Sequence, residues 1–253
     1  MQDSIIYGPV NSRRLGRSLG INLSPYRAKL CSFNCLYCHY GWTRRLTADF
    51  SKYKNDLPHP SEVLTAVEEA MKSDLDFAYV TFSGNGEPSL HPDFADLAVG
   101  VAKLRDKYRP EVKTALLTNS TGLIQYKIRK ALKYIDRPFC KLDAGTEETF
   151  QKINRPADGV KFNDMVEALV GLDHIFIQTA FMDGTHGNIT EGELTAWRDI
   201  IKRIRPVEVH IYSIDRPVPD YDISLVEPER LEEIARETTV YTGIKTIAFY
   251  PQG

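Results

Sequence analysis

The sequence predicts an α/β fold, a partial (β/α)6 TIM-type barrel of parallel strands, and three observations carry that prediction. From residue 55 onward short β-rich runs alternate with amphipathic stretches, the pattern of parallel strands joined by crossover helices. The stretches between the runs keep a 3.6-residue apolar period. Polar residues gather where each run ends, at one mouth of the expected barrel, where substrates sit in such folds. The 253 residues suffice for one domain, residues 1–253, whose basic amino-terminal segment, about 1–54, carries a cysteine-rich loop.

Taken in order, the amino-terminal segment holds nine Lys or Arg against two acids, +7, and the remainder carries −9 within a total of −2. Such a patch, interleaved with Tyr26, Tyr40, Trp42 and Tyr53, suits RNA through phosphate contacts and base stacking. It equally suits an acidic electron carrier, and a solvated basic face is the plain alternative. The first strand is expected at 19–23. Apolar stripes at Val63, Leu64, Val67 and Met71 and at Phe94, Leu97, Val101 and Leu104 flank a second strand at 77–83; a third follows at 112–118.

The fourth strand, 139–143, places Lys141 and Asp143 on one face and Cys140 and Leu142 on the other. Charges in mid-strand are costly unless they pair or line a site, so Lys141 and Asp143 are expected to face the cavity, while Cys140 packs as a structural residue. A stripe at Phe162, Met165, Val166 and Leu169 precedes the fifth strand, 175–181. Thr190 and Glu193 form a capping box ahead of Leu194, Trp197, Ile201 and Ile204, with Trp197 a packing residue; strands at 207–213 and 245–250 follow. Strand ends supply the substrate-cavity candidates Lys141, Gln178, Tyr212 and Arg216.

Composition excludes other classes. Charged residues at 26% and apolar residues at 42% rule out disorder and collagen-like repeats. No apolar run approaches the ~18 residues of a membrane span, and the first nine residues lack the basic and apolar regions of a signal peptide. The expectation is a soluble cytoplasmic protein with no membrane partner.

The strongest signal is Cys31-Ser32-Phe33-Asn34-Cys35-Leu36-Tyr37-Cys38-His39. Three buried apolar cysteines would rarely sit among such polar neighbours, and three thiols this close cannot readily pair with one another. Zinc needs a fourth ligand, and His39 adjoins Cys38, so a distant residue such as Cys140 would have to close the tetrahedron. The C-x-x-C-H haem pattern and a C-x-x-C redox pair both leave Cys31 without a role. A [4Fe-4S] cluster on three thiolates uses all three and leaves one iron open to a small molecule.

At this C-x3-C-x2-C spacing the sequence resembles the radical S-adenosylmethionine (SAM) superfamily, in which SAM chelates the open iron through its amino and carboxylate groups. The segment Gly84-Asn85-Gly86-Glu87-Pro88 lacks the dinucleotide and phosphate-loop fingerprints. By resemblance, Asn85, Gly86 and Glu87 correspond to the Gly-Gly-Glu-like turn that receives the methionine ammonium; the plain alternative is a turn in which Glu87 caps the next helix. Tyr7-Gly8-Pro9, Ser12-Arg13-Arg14-Leu15-Gly16, Leu142-Asp143-Ala144, Ile153-Asn154-Arg155-Pro156 and Asp215-Arg216-Pro217 are similar to strings of wyosine-synthase-like Fe-S oxidoreductases.

The resemblance implies that Tyr37 lies against the adenine, that Asn119 and Asp143 contact the ribose or methionine groups, and that Arg155 meets the SAM carboxylate. The plain alternatives are Tyr37 in the core, Asn119 as a helix cap, Asp143 paired with Lys141, and Arg155 at the surface. Wyosine synthases carry a second set of cysteines, whereas this chain has only Cys140 beyond the triad, so wyosine formation is not carried over. The implied enzyme accepts an electron from a flavodoxin- or ferredoxin-type donor and forms a 5′-deoxyadenosyl radical that takes hydrogen from a substrate, with RNA the candidate and a protein the third option. The rival reading is a non-catalytic module with an electron-relay cluster or structural zinc.

Overall fold

Residues 1–250 are described by a computed structural model, and their contacts divide into two compact units. One unit comprises residues 1–32 and 44–139; the other comprises residues 33–43 and the chain from 140 on.

The first unit opens with a hairpin that the strand pattern does not announce. Strand β1 (Ile6–Ser12) pairs antiparallel with β2 (Gly16–Asn22), and its register shifts between Tyr7 and Val10, around a proline with no N–H to give the ladder. Ser12 Oγ accepts from the amides of Arg14 and Leu15 to close the turn. Two short bridging strands follow, β3 (Leu30–Cys31) and β4 (Arg45–Leu46), parallel to each other. Cys31 is therefore held in extended backbone, and its carbonyl accepts from Thr47 N at 3.0 Å.

Helix α1 (Pro60–Lys72) starts at a capping box between His59 and Glu62 and buries Val63, Val67, Ala70 and Met71. Strand β5 (Tyr79–Ser83) lies parallel to β2; α2 (Phe94–Tyr108) buries Phe94, Leu97 and Val101; and β6 (Lys113–Thr118) lies parallel to β5. A short α3 (Tyr126–Ala131) leads to β7 (Arg137–Lys141), which runs across the division between the units. Its end falls two residues before the predicted one, so Asp143 stands beyond the strand, at the start of the following loop.

The second unit continues with α4 (Glu147–Asn154), α5 (Phe162–Leu169) and β8 (Phe176–Phe181), the last buried throughout as expected for a strand covered on both faces. Helix α6 (Glu191–Ile204) precedes β9 (Glu208–Ser213), parallel to β8; α7 (Pro228–Thr242) precedes β10 (Thr246–Phe249), parallel to β9. Trp197 is a packing residue, edge-on to Phe181 at 5.1 Å with its indole N–H on the Leu142 carbonyl.

The predicted capping box at α6 forms by half. Thr190 accepts from Glu193 N, but the Glu193 carboxylate turns to Gly145 N and Thr146 Oγ1 and so ties α6 to the loop after β7. Among the described residues no helix is long and apolar enough to cross a membrane.

Candidate metal and cofactor site

In the first unit the site is built around the turn that leaves β5. Gly84 has φ +110, a region that favours glycine. A Cβ on Gly86 would fall 1.7 Å from the Leu30 carbonyl oxygen, so glycine alone lets this turn lie against the residue preceding Cys31. The contact is a two-way backbone bond: Leu30 N donates to Asn85 O and Glu87 N donates to Leu30 O. The Asn85 side chain, fully buried, is committed to the backbone N–H and carbonyl of Gln2 and to the Pro25 carbonyl.

Glu87 is buried and caps the turn Pro88–Leu90, the plain role set out above. One carboxylate oxygen accepts from Ser89 N, Ser89 Oγ and Thr118 Oγ1 at 2.9, 2.6 and 2.6 Å, and the other accepts from Asn119 N at 2.5 Å. Burial pushes its pKa up, and these donors pull it back in part. Asn119, at the end of β6, accepts from Thr121 N through Oδ1 and donates through Nδ2 to Ser32 Oγ at 2.8 Å and to Cys31 Sγ at 3.6 Å.

In the second unit the loop carrying Cys35 is held by α4. Asn34 N donates to the Asn154 and Arg155 carbonyls, and Leu36 N to that of Ile153. Leu36 packs with Ile153, Met182 and Ile223. Asn154 Nδ2 donates to Cys35 Sγ at 3.5 Å and to Asp143 Oδ2 at 2.9 Å. Burial pushes the Cys35 thiol up to about 11, against the pull of the Lys141 ammonium. The Tyr37 hydroxyl donates to Asp143 Oδ2, and burial together with that carboxylate raises its pKa well above that of an ordinary phenol.

Lys141 brings together three of the predicted residues. Its ammonium is 3.6 Å from Asp143 Oδ2, 3.2 Å from the Tyr212 hydroxyl, and 5.0 and 5.9 Å from the centres of the Tyr37 and Tyr212 rings. Burial alone would lower its pKa; Asp143 and Tyr212 outweigh burial and raise it above the ordinary lysine value, so the cation stays charged. Gln178 is buried, and its carbonyl accepts from Leu142 N.

Arg155 lies apart from this group. It has left-handed backbone (φ +45), stacks its guanidinium 5.2 Å from the Trp42 ring centre, and stands 3.6 Å from Asp220. Arg216 is exposed on the segment after β9 and takes no part in the Lys141 network among the described residues.

None of the four cysteines is in a disulfide; Cys31, Cys35 and Cys140 are buried and Cys38 is half-buried. The radical SAM superfamily model matches residues 27–191, from ahead of the triad into α6. The chain belongs to the radical SAM superfamily. It is an enzyme, and members of the superfamily use a [4Fe-4S] cluster and SAM.

Among the relatives of this radical SAM protein, a UPF0026 protein of Synechocystis sp. is 31% identical over 85% of this chain and 77% of its own length. A protein of Brachyspira hyodysenteriae named GTPase Obg is 28% identical over 90% of this chain and 32% of its own length. The chain thus spans about a third of that relative, and it has no Gly-Lys-Ser/Thr phosphate loop of its own.

A radical SAM methyltransferase from Sphaerobacter thermophilus aligns with a TM-score of 0.66 at 14% identity, covering 93% of this chain and 67% of that one. A structure of TYW1, a wyosine synthase, with a lysine-pyruvate adduct bound aligns at 0.58 and 13% identity, over 90% and 75%. These likenesses carry the fold, the predicted partial barrel of parallel strands.

The residues present fit a cluster. Three thiols at C-x3-C-x2-C spacing are free of disulfides, and each of the two buried ones is met by a neutral amide donor, which suits a thiolate bound to iron. The cysteines were legible in the sequence, whereas Ser32, Ser89, Thr118 and Asn154 were not singled out. Asn154 did fall within the Ile153-Asn154-Arg155-Pro156 string. A polar residue in the last turn of an amphipathic helix, two places before a proline, was the available signal.

Proposed function

We propose that this chain is a radical SAM enzyme in which Cys31, Cys35 and Cys38 hold the [4Fe-4S] cluster and leave one iron for SAM. The observation that supports this most is the triad itself: three thiols outside any disulfide within a span of eight residues, with the remaining cysteine, Cys140, buried on β7. With both groups bound, the cofactor pair supplies a one-electron reductive cleavage of SAM to a 5′-deoxyadenosyl radical able to take hydrogen from a substrate.

The chain's own residues bind and orient. Gly86 and Glu87 are assigned to the methionine end of SAM, where the buried charge of Glu87 attracts its ammonium; Asn119, its side chain committed to Ser32, Cys31 and Thr121, holds the wall behind them. Tyr37 and Asp143 are assigned to the nucleoside end, and Arg155 to the carboxylate. Lys141, Gln178 and Tyr212 are assigned to the substrate, where Lys141 presents a permanent positive charge braced by Asp143 and Tyr212. Arg216, exposed after β9, is assigned to the outer edge of the substrate site.

The substrate assigned is RNA. Supporting that reading are the nine cations of residues 1–54 and the exposed rings of Tyr26 and Trp42 in the same segment. An acidic flavodoxin or ferredoxin is the assigned electron donor. Electron paramagnetic resonance of the anaerobically reconstituted, reduced protein with and without SAM tests the chemistry, alongside an assay for 5′-deoxyadenosine. A [4Fe-4S] signal that changes with SAM and accompanies 5′-deoxyadenosine is the expected result. A cluster indifferent to SAM, or no cluster, favours the electron-relay or zinc module instead. Retardation of RNA at low salt, independent of any reductase, tests the substrate class.

A further inference from the structure

We propose that Asn119 and Asn154 are positioning residues that set the reduction potential of the cluster, each through one amide hydrogen directed at a ligand sulfur. This rests on the assignment of the cluster to the cysteine triad. Two buried ligand thiols are present, Cys31 and Cys35, and each has a buried asparagine amide nitrogen within hydrogen-bonding range of sulfur, at 3.6 and 3.5 Å.

The hydrogen inventory fixes both amides. A carboxamide nitrogen carries two hydrogens. Asn119 Nδ2 gives one to Ser32 Oγ and the other to Cys31 Sγ, while its Oδ1 accepts from Thr121 N at 3.0 Å, so the group cannot be reversed without losing that bond. Asn154 Nδ2 gives one to Asp143 Oδ2 and the other to Cys35 Sγ. Reversing Asn154 would set its amide oxygen against an acceptor-only carboxylate. The second partner in each case, Ser32 or Asp143, locks the first hydrogen on sulfur.

A donor on a ligand sulfur stabilises the more negative, reduced cluster and so raises its potential. Removing the donor lowers the potential, and a tenfold weaker tendency to accept one electron is about 59 mV. The substitutions are tolerable locally. Without Asn154, Asp143 keeps Ala180 N, the Tyr37 hydroxyl and Lys141, and the backbone carbonyl at 154 still receives Asn34 N. Without Asn119, Ser32 keeps its bond to Thr121 Oγ1.

The test is a mediator-buffered redox titration of the full-length reconstituted chain, followed by electron paramagnetic resonance, for the wild type, Asn119→Leu and Asn154→Leu. Asn119→Ser and Asn154→Ser, whose hydroxyls are too short to reach sulfur, serve where a leucine variant fails to fold by circular dichroism. Iron and sulfide are measured on each. The expected result is wild-type cluster content with a midpoint more negative by tens of millivolts in each variant, and more negative again in Asn154→Asp, where an acceptor replaces the donor. Full cluster content with unchanged midpoints overturns this inference and leaves the cluster assignment standing. A wild type that takes up no [4Fe-4S] cluster overturns the assignment itself.

Discussion

At the scale of single residues, the spacing of the four cysteines separates the triad from Cys140. Cys31 and Cys35 each face an amide hydrogen, and Cys140 lies fully buried on β7, about a hundred residues along the chain from the triad. Ligand cysteines cannot be exchanged for alanine without opening the metal site; a packed cysteine loses one sulfur atom of volume. Cys31→Ala, Cys35→Ala and Cys38→Ala are therefore each expected to lower iron and acid-labile sulfide per chain severalfold after reconstitution. Cys140→Ala should retain wild-type iron at a cost of about 1 kcal/mol in stability. Iron retained in all three triad variants, or lost in Cys140→Ala, would refute the partition. The Asp143–Lys141 pair belongs to the same scale: the sequence offered it as the plain alternative to a cofactor role, and the 3.6 Å separation establishes the pair without removing either residue from the site.

At the scale of elements, two features give stability predictions of different origin. The first is the start of α6, where Thr190 caps and Glu193 bonds across to Gly145 and Thr146. Thr190→Ala should cost about 1 kcal/mol, the usual worth of an N-cap. Glu193→Ala should cost about 1–3 kcal/mol, since it strands two donors of the loop after β7; urea unfolding of both variants gives the ordering, and equal costs would mean that the cross-tie is idle. The second is His91, whose Nδ1 accepts from Asp93 N, so Nε2 carries the proton directed at the Pro58 carbonyl. Burial holds its pKa below 6.5, partly offset by Pro58 and Asp93. As pH falls through about 6.5 the unfolded chain takes a proton that the folded chain does not, so stability is lost, by at most about 1.4 kcal/mol per pH unit until the folded pKa is reached. Urea unfolding at pH 7.5 and 5.5 should show a smaller pH difference in His91→Gln than in the wild type. The elements also show what a linear pattern can reveal. The parallel strands were legible to within a few residues because they are short runs rich in β-branched and aromatic residues, whereas β1, with Gly8-Pro9 inside it, and α4, with little beyond Phe150 and Ile153 to bury, carry no comparable pattern. The role of the asparagine at the end of α4 is not legible in the sequence for a different reason: its partners, Cys35 and Asp143, are 119 and 11 residues away.

At the scale of the molecule, the charge asymmetry is legible in the sequence but its strength is not, because ion pairing depends on the fold. All nine cations of residues 1–54 belong to the first unit. At least four of them already face carboxylates: Arg17 with Asp76, Arg27 with Asp3, Arg45 with Asp56 and Lys52 with Asp49. If those pairs persist in a complex, at most five cations of the segment meet phosphates. For a single-stranded polyanion each neutralised phosphate contributes about −0.7 to the slope of log K against log salt, so the slope should be no steeper than about −3.5. Raising salt from 50 to 200 mM should then weaken RNA binding by no more than about 100-fold, a change well within reach of filter binding or fluorescence anisotropy. A steeper slope means that the exposed pairs at Arg17, Arg27 and Lys52 open on binding, which is inexpensive because pairs at such exposure are worth at most about 1 kcal/mol. Arg17→Ala would then lower the slope by close to one phosphate, and would leave it unchanged if its pair with Asp76 holds. No retardation of any RNA even at low salt removes RNA as the substrate class and leaves the basic unit to an acidic electron donor.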